Sequence, residues 1–474
     1  MPRYLLCALI ASGSLALFSA LLVAPAPSYD PWMWLLWGRE LASGTLSTTD
    51  GPAFKPLPVA VCAVLATSGS FAPALWVLLA RTGALVALVL SFSIARRLAG
   101  GSLGAGVIAV AGVATTGQYL LYAASGMSEG LLLAFALGGA ELWRGGHRRG
   151  ALACAVACGL LRVETWPFLL AAAALVGHRH PPARIWLGAA AVAVPLAWFV
   201  PEWIGSGDLL RSGTRARIPN PGQPALADVP ALASLTEAVK SVAWPLWAGL
   251  VLVPFVRTRS ARFWSPLLPA GIGLAWLAVV ASMAQGGFSG EPRYAIPGAA
   301  LIAISGSIGL GRLLGRPLVV ESAQQGRRLR LLSDGPFSLP SLVPVLGTAF
   351  VVLLLAAGHK SRLVVIPDAQ AYQSRLAADL RQAIAAVGGR EDVLDCGTPY
   401  VGRLRGPLLA YHLGVDKKAV EPDRPPRPPG VVFRSALERG AQLVPQPPPK
   451  FRLHSQAGTW SVLVHCGDGD PPFS

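Results

Sequence analysis

The chain has 474 residues, 53% of them hydrophobic and only 14% charged, with a mean hydropathy of +0.52. That balance excludes an ordinary soluble domain and marks a polytopic membrane protein. The formal charge of +16 would suit a nucleic-acid binder, so the placement of the charges decides what it means.

Apolar runs near 4–24, 72–95, 103–122, 127–143, 184–201, 242–257, 264–282, 294–312 and 340–357 each approach the roughly 20 residues that cross a bilayer as a helix. They are uniformly apolar rather than alternating, which predicts helices and not barrel strands. The cations cluster at their ends: Arg96 and Arg97; Arg144, His147, Arg148 and Arg149; Arg179 and Arg184; Arg257, Arg259 and Arg262; Arg312, Arg316, Arg327, Arg328 and Arg330. Short basic loops face the cytoplasm. The positive excess is therefore topological, and no nucleic-acid partner is expected.

Arg3 before the first run and "APAPS" after it resemble a cleaved signal peptide, but the run is long enough to span and the loop behind it suits an uncleaved chain. With the basic loops inside, the N-terminus is cytoplasmic and residues 25–71 form an external loop. This loop carries "SYDPWMWLLWGRELASGTLSTTDGPAFKPLP". Trp32, Trp34 and Trp37 predict an interfacial belt on an amphipathic helix lying on the membrane. Such a helix would pin Asp30 at a partly desolvated position, where a carboxylate can act as a general base. A helix cap at Asp30, with Pro31 in the first helical position, accounts for the same residues. After Lys55, "KPLPVAVCAVLATSG" is too short to span and predicts a half-helix dipping in beside a cavity.

Residues 150–177 lie between two basic loops and are too short for two ordinary spans. A hairpin of two short helices with "LRVETWP" at the turn satisfies the charge rule, with one long tilted helix as the alternative. Residues 202–241 and 283–293 then lie outside, 257–263 and 313–339 inside. The span at 340–357 exports the rest, making about eleven membrane segments.

From about residue 358 the character changes to charged sequence punctuated by proline, predicting a small α/β domain. "AYQSRLAADLRQAIAAV" has helical periodicity ending at Gly388-Gly389, while "DVLDC", "GVVF" and "WSVLVHC" read as strands. Cys7, Cys62, Cys154 and Cys158 fall in apolar segments. Cys396 and Cys466 alone lie in the C-terminal domain, where an external location permits a disulfide between them.

Polar groups on the external side need a purpose, because ionisable residues at membrane depth are costly. They are Asp30, Glu40, Asp50 and Lys55, then Glu129, then Arg162 and Glu164, then Glu291 and Arg293. Their one-sided distribution predicts an outward-facing site. Lys55, Arg162 and Arg293 offer fixed positive charge for a lipid phosphate, or snorkel to headgroups.

Taken in order, Asp30 directly after the first span, "WLLWGRELASG", "GPAFKPLP", "SGMSEGLLLAFAL", "GLLRVETWPFLL" and "EPRYAIP" resemble the GT-C superfamily of membrane glycosyltransferases. The likeness is to bacterial members such as actinobacterial arabinosyl- and mannosyltransferases, and it covers most of residues 1–312. It implies an all-α GT-C-like membrane domain over 1–357; the separate extracytoplasmic domain over 358–474 is not covered by the resemblance, and acceptor glycan is its expected ligand. It further implies a polyprenyl-phosphate sugar as donor, an envelope glycan or glycolipid as acceptor, and inverting transfer with Asp30 as base. Lys55, Arg293 and Arg162 would meet the donor phosphate, and Trp34, Glu40, Asp50, Glu129 and Glu164 the substrates. Many relatives carry two adjacent acids in this loop, whereas Asp30 is followed by Pro31, so a second carboxylate has to come from Glu40, Asp50 or Glu129.

Other signals carry less. Asp468-Gly-Asp470 matches a nucleotide-sugar metal pattern but lies in an expected external tail. Gly104 and Gly106 sit inside an apolar span, where small residues serve helix packing. His178 and His180 have no third ligand nearby, so no metal site is expected and no cofactor is required, although a divalent metal is compatible with the chemistry. A lipid transporter would need polar residues through the whole membrane depth, and a non-catalytic glycan-binding protein would tolerate loss of Asp30.

Overall fold

The computed structural model describes residues 3–256, 265–315, 320–321, 328–329, 339–422 and 424–467. The basic positions Arg257, Arg259, Arg262, Arg316, Arg327 and Arg330, and Asp468 and Asp470, lie outside the described residues. The protein is a helical membrane domain followed by a small C-terminal α/β domain.

Among the described residues, Arg3–Leu22, the stretch Pro56–Leu98, Pro181–Ser206, Leu268–Gln285 and Pro292–Leu314 are long and apolar enough to cross a bilayer. A sixth candidate is the pair Leu342–Ala357 and Lys360–Ala385, bent by 57° where the membrane part ends. The remaining expected segments are shorter helices: Leu103–Thr115, Glu129–Arg144, Arg148–Leu161, Trp166–Arg179 and Trp244–Leu252.

The most enclosed helix is Ile296–Leu314, packed against Leu103–Thr115, Trp244–Leu252 and Leu268–Gln285. Its close approaches depend on missing side chains. A Cβ on Gly306 would collide with the Leu246 carbonyl oxygen and one on Gly309 with the Gly249 carbonyl oxygen, so backbones meet there as in other small-residue membrane interfaces.

The expected span 103–122 is broken. Its helix stops at Thr115, turns through Gly117 at φ 55°, and resumes as Tyr119–Ala124. The Gly117 N–H donates to the Ser241 carbonyl, a partner distant in sequence that holds the break. Residues 150–177 are two helices rather than one long one. Arg148–Leu161 ends at Arg162, which is extended at φ −152° and ψ 132°, and Trp166–Arg179 follows a single 3-10 turn. The indole N–H groups of Trp166 and Trp198 both donate to the Gly159 carbonyl, fastening that turn.

The tryptophans of the first loop are not an interfacial belt. Tyr29–Ser43 is a helix, but Trp32, Trp34 and Trp37 are all buried within the protein. The reason is coverage from two sides, by the half-helix Pro56–Leu65 and by helix Gly406–Leu413 of the C-terminal domain. Gly38 permits the first contact, since a Cβ there would come within 2.6 Å of Cys62.

In the C-terminal domain, strand Thr398–Val401 pairs parallel with Gly430–Ala436, which pairs antiparallel with Trp460–His465, itself paired with Arg452–Ala457. Leu443–Val444 adds a short edge against the end of Gly430–Ala436. Lys360–Ala385 packs on this sheet, and Trp460 donates its indole N–H to the Leu376 carbonyl. "DVLDC", expected as a strand, belongs to helix Arg390–Cys396: Glu391 and Asp392 occupy its first turn, where carboxylates suit the helix dipole, and Gly397 ends it at φ 134°. A disulfide joins Cys396 to Cys466 at the end of the last strand.

Candidate active site

Five pieces of chain meet at one end of the helical domain. Asp30 comes from the first turn of Tyr29–Ser43, and the helix-start position of a carboxylate suits its dipole. Ser28, not Asp30, occupies the cap position, and Pro31 is the third helical residue rather than the first. Lys55 precedes the half-helix, Ser128 and Glu129 open helix Glu129–Arg144, and Arg162 with Glu164 form the hairpin turn. Glu291, Arg293 and Tyr294 lead into Ile296–Leu314.

These groups make two linked ion clusters. The Arg293 guanidinium contacts Asp30 at 2.9 Å and Glu291 at 3.0 Å. Arg162 contacts Glu129 at 2.6 Å and Glu164 at 2.9 Å, and its guanidinium lies 4.3 Å from the centre of the Tyr294 ring. Arg293 lies by the same ring at 5.4 Å, so both guanidinium groups adjoin Tyr294. Arg162 and Glu129 are almost completely buried, where an unpaired charge would be very costly. Pairing makes them tolerable.

Lys55 is different. Its ammonium donates to the Ser128 hydroxyl at 3.3 Å and stands 4.9 Å from the Trp34 ring centre, and among the described residues it touches no carboxylate. It is therefore a buried cation of this end with charge still to be matched. Two further polar atoms are unmatched here: Glu129 Oε2 and Trp34 Nε1 are buried without a hydrogen-bond partner among the described residues. An anionic group beside Lys55 and a hydroxyl-bearing group near Asp30 and Glu129 would match these donors and acceptors.

The structure thus brings together Asp30, Lys55, Arg162, Arg293, Glu129, Glu164 and Trp34. It places Glu40 and Asp50 elsewhere. Glu40 accepts the Ser47 N–H at 3.0 Å, closing its own loop, and burial pushes its carboxyl up to about 7. Asp50 pairs with Lys417 of the C-terminal domain. Both lie at the contact between the two domains. Tyr294 and Ser128, which spacing alone did not single out, complete the cluster; each adjoins a charged member in "EPRYAIP" or "SGMSEG". Among the described residues, no group of three or more His, Cys, Asp or Glu side chains is placed to hold a metal ion.

No family model matches the chain, and no curated protein matches it either. Among solved structures it is similar to the crystal structure of ArnT from Cupriavidus metallidurans in the apo state, at 15% sequence identity and a TM-score of 0.52. The alignment covers 96% of each chain, so the likeness extends through the membrane domain and the C-terminal domain alike. The fold is GT-C-like.

Proposed function

We propose that this protein is a GT-C glycosyltransferase that moves a sugar from a polyprenyl-phosphate donor to an envelope glycan or glycolipid at the outer face of the cytoplasmic membrane. The observation that carries this reading is the convergence of Asp30 with Lys55 and Arg293 at one end of the helical domain, inside a fold like that of ArnT. The N-terminus is cytoplasmic and the C-terminal domain extracytoplasmic, as the basic loops indicate.

Binding of the donor phosphate beside Lys55 draws Arg293 from Asp30 toward the phosphate. That exchange frees the carboxylate. Asp30 then removes the proton of an acceptor hydroxyl as its oxygen bonds to the anomeric carbon. The bond from that carbon to the phosphate oxygen breaks, and its electron pair leaves with the polyprenyl phosphate. A single displacement of this kind inverts the anomeric centre. Lys55 and Arg293 stabilise the charge that develops on the phosphate, so no leaving-group acid is required. Arg162, already engaged by two carboxylates, acts chiefly by holding Glu129 and Glu164 in place beside the substrates.

The test is transfer of radiolabelled sugar from a panel of polyprenyl-phosphate sugars to envelope extract, by purified wild type and Asp30→Asn in parallel. Transfer by wild type alone supports the reading. Equal transfer by both removes Asp30 as the base, and absence of transfer with every donor overturns the enzymatic reading.

A further inference from the structure

Helix Tyr29–Ser43 has two working faces. Asp30, Trp34 and Trp37 fall on one by helical spacing, toward Arg293, Lys55 and Phe54. Trp32, Leu35 and Arg39 fall on the opposite one, and they line a cavity of about 500 Å³ against the C-terminal domain. The helix is thus a wall between the site described above and a second space.

That second space has a consistent chemistry. Among the described residues its charged lining consists of Arg39 and Arg381, accompanied by the His412 imidazole and no carboxylate. Arg39 donates to the carbonyls of Tyr411 and Val415 and so has a structural duty. Arg381 is exposed, and no described residue hydrogen-bonds or ion-pairs with it. His412 Nε2 is buried without a partner. The rest of the lining is largely apolar, including Leu35, Cys62 and Pro73. Just outside, Val64 and Phe71 are each 71% exposed on the half-helix and the turn after it, a surface suited to lipid rather than water. Cations at the C-terminal-domain side and bare apolar surface at the membrane side describe a place for an amphiphile.

We infer that this cavity binds the phosphate headgroup of an anionic lipid, with the acyl or prenyl chain running along the half-helix. Arg381 and the His412 imidazole donate to the phosphate, and Leu35 and Pro73 meet the first carbons of the chain. The site is separate from the one around Lys55 and stands whether or not the transfer reaction proposed above is right.

The experiment uses the full chain carrying Lys55→Gln, which disables the other phosphate-binding position, purified in a detergent free of anionic lipid. Native mass spectrometry then follows titration with dioleoyl phosphatidic acid, undecaprenyl phosphate, dioleoyl phosphatidylcholine and inorganic phosphate. The expected result is one anionic lipid per chain, bound about tenfold or more weakly once Arg381→Glu is added, as loss of a charge-assisted hydrogen bond implies. Ala378→Trp, which fills the cavity from an exposed position, is expected to abolish it. Equal binding of phosphatidic acid and undecaprenyl phosphate identifies bilayer lipid as a sufficient source, and binding of undecaprenyl phosphate alone identifies the carrier lipid; either supports the site. The inference is overturned if phosphatidylcholine binds as well as phosphatidic acid, if inorganic phosphate binds as tightly as the lipids, or if both variants bind like their parent.

Discussion

Asp30 and Arg293 face each other at 2.9 Å, both about nine-tenths buried, although they lie 263 positions apart in the chain. A carboxylate so placed is aimed, but it is also occupied. Asp30→Asn keeps the shape and one hydrogen-bond acceptor while removing the basic group. Transfer is expected to fall by about two to four orders of magnitude, the usual contribution of a general base. The thermal unfolding midpoint distinguishes this from misfolding: a loss of turnover accompanied by collapse of the fold would sink the assignment.

Lys55 contacts the Ser128 hydroxyl and the Trp34 ring and, among the described residues, no carboxylate, so removing its charge leaves no buried acid there stranded. Lys55→Gln is expected to raise the donor KM by about tenfold or more, the worth of one charge-assisted hydrogen bond to phosphate. The check is steady-state kinetics across donor concentration, with undecaprenyl phosphate as competing product. An unchanged KM with unchanged product inhibition would move the phosphate away from Lys55.

The Arg162 cluster behaves in the opposite way. Glu129→Gln leaves Arg162 paired with Glu164, whereas Arg162→Leu strands two buried carboxylates. Breaking a buried pair from one side costs about 3–5 kcal/mol. Arg162→Leu is therefore expected to lower the unfolding midpoint much more than Glu129→Gln, as differential scanning fluorimetry in detergent would show. A reversed order would mean that Arg162 is not held in place by these two acids.

The membrane segments were legible because uniform apolarity at bilayer length has few other meanings. The interruption at Gly117 was not, because its cause is the Ser241 carbonyl, more than a hundred residues away. Trp32, Trp34 and Trp37 show a different limit. Closely spaced tryptophans read identically whether they meet lipid headgroups or protein, and the packing of Tyr411 and His412 on Trp32, of Trp76 on Trp34 and of Phe54 on Trp37 decides it. Likewise, "DVLDC" has too few residues to separate a strand from one helical turn or two. The charged positions of the site could be collected from sequence as a one-sided set. Their division could not, since Asp50 and Glu40 leave the set through Lys417 and Ser47, contacts that depend on how the loop and the C-terminal domain dock.

The docking itself should depend on pH in two directions. Burial, then the nearby Arg381 and Arg39, lower the His412 imidazole to about 4. The folded protein therefore binds fewer protons than the unfolded chain between about 6.5 and about 4, and stability is lost as pH falls through that window. Burial raises the Glu40 carboxyl to about 7. Here the folded protein holds the extra proton, and stability is lost as pH rises from about 4.5 to about 7. Thermal unfolding from pH 4 to pH 8 should accordingly show His412→Gln gaining relative to wild type at the acid end, and Glu40→Gln gaining at the alkaline end. Parallel curves for wild type and both variants would show that neither group carries a proton linkage in the folded state. A protective effect of His412→Gln that appeared only above pH 7 would contradict a lowered imidazole, because wild-type His412 is neutral there in the folded and unfolded chain alike.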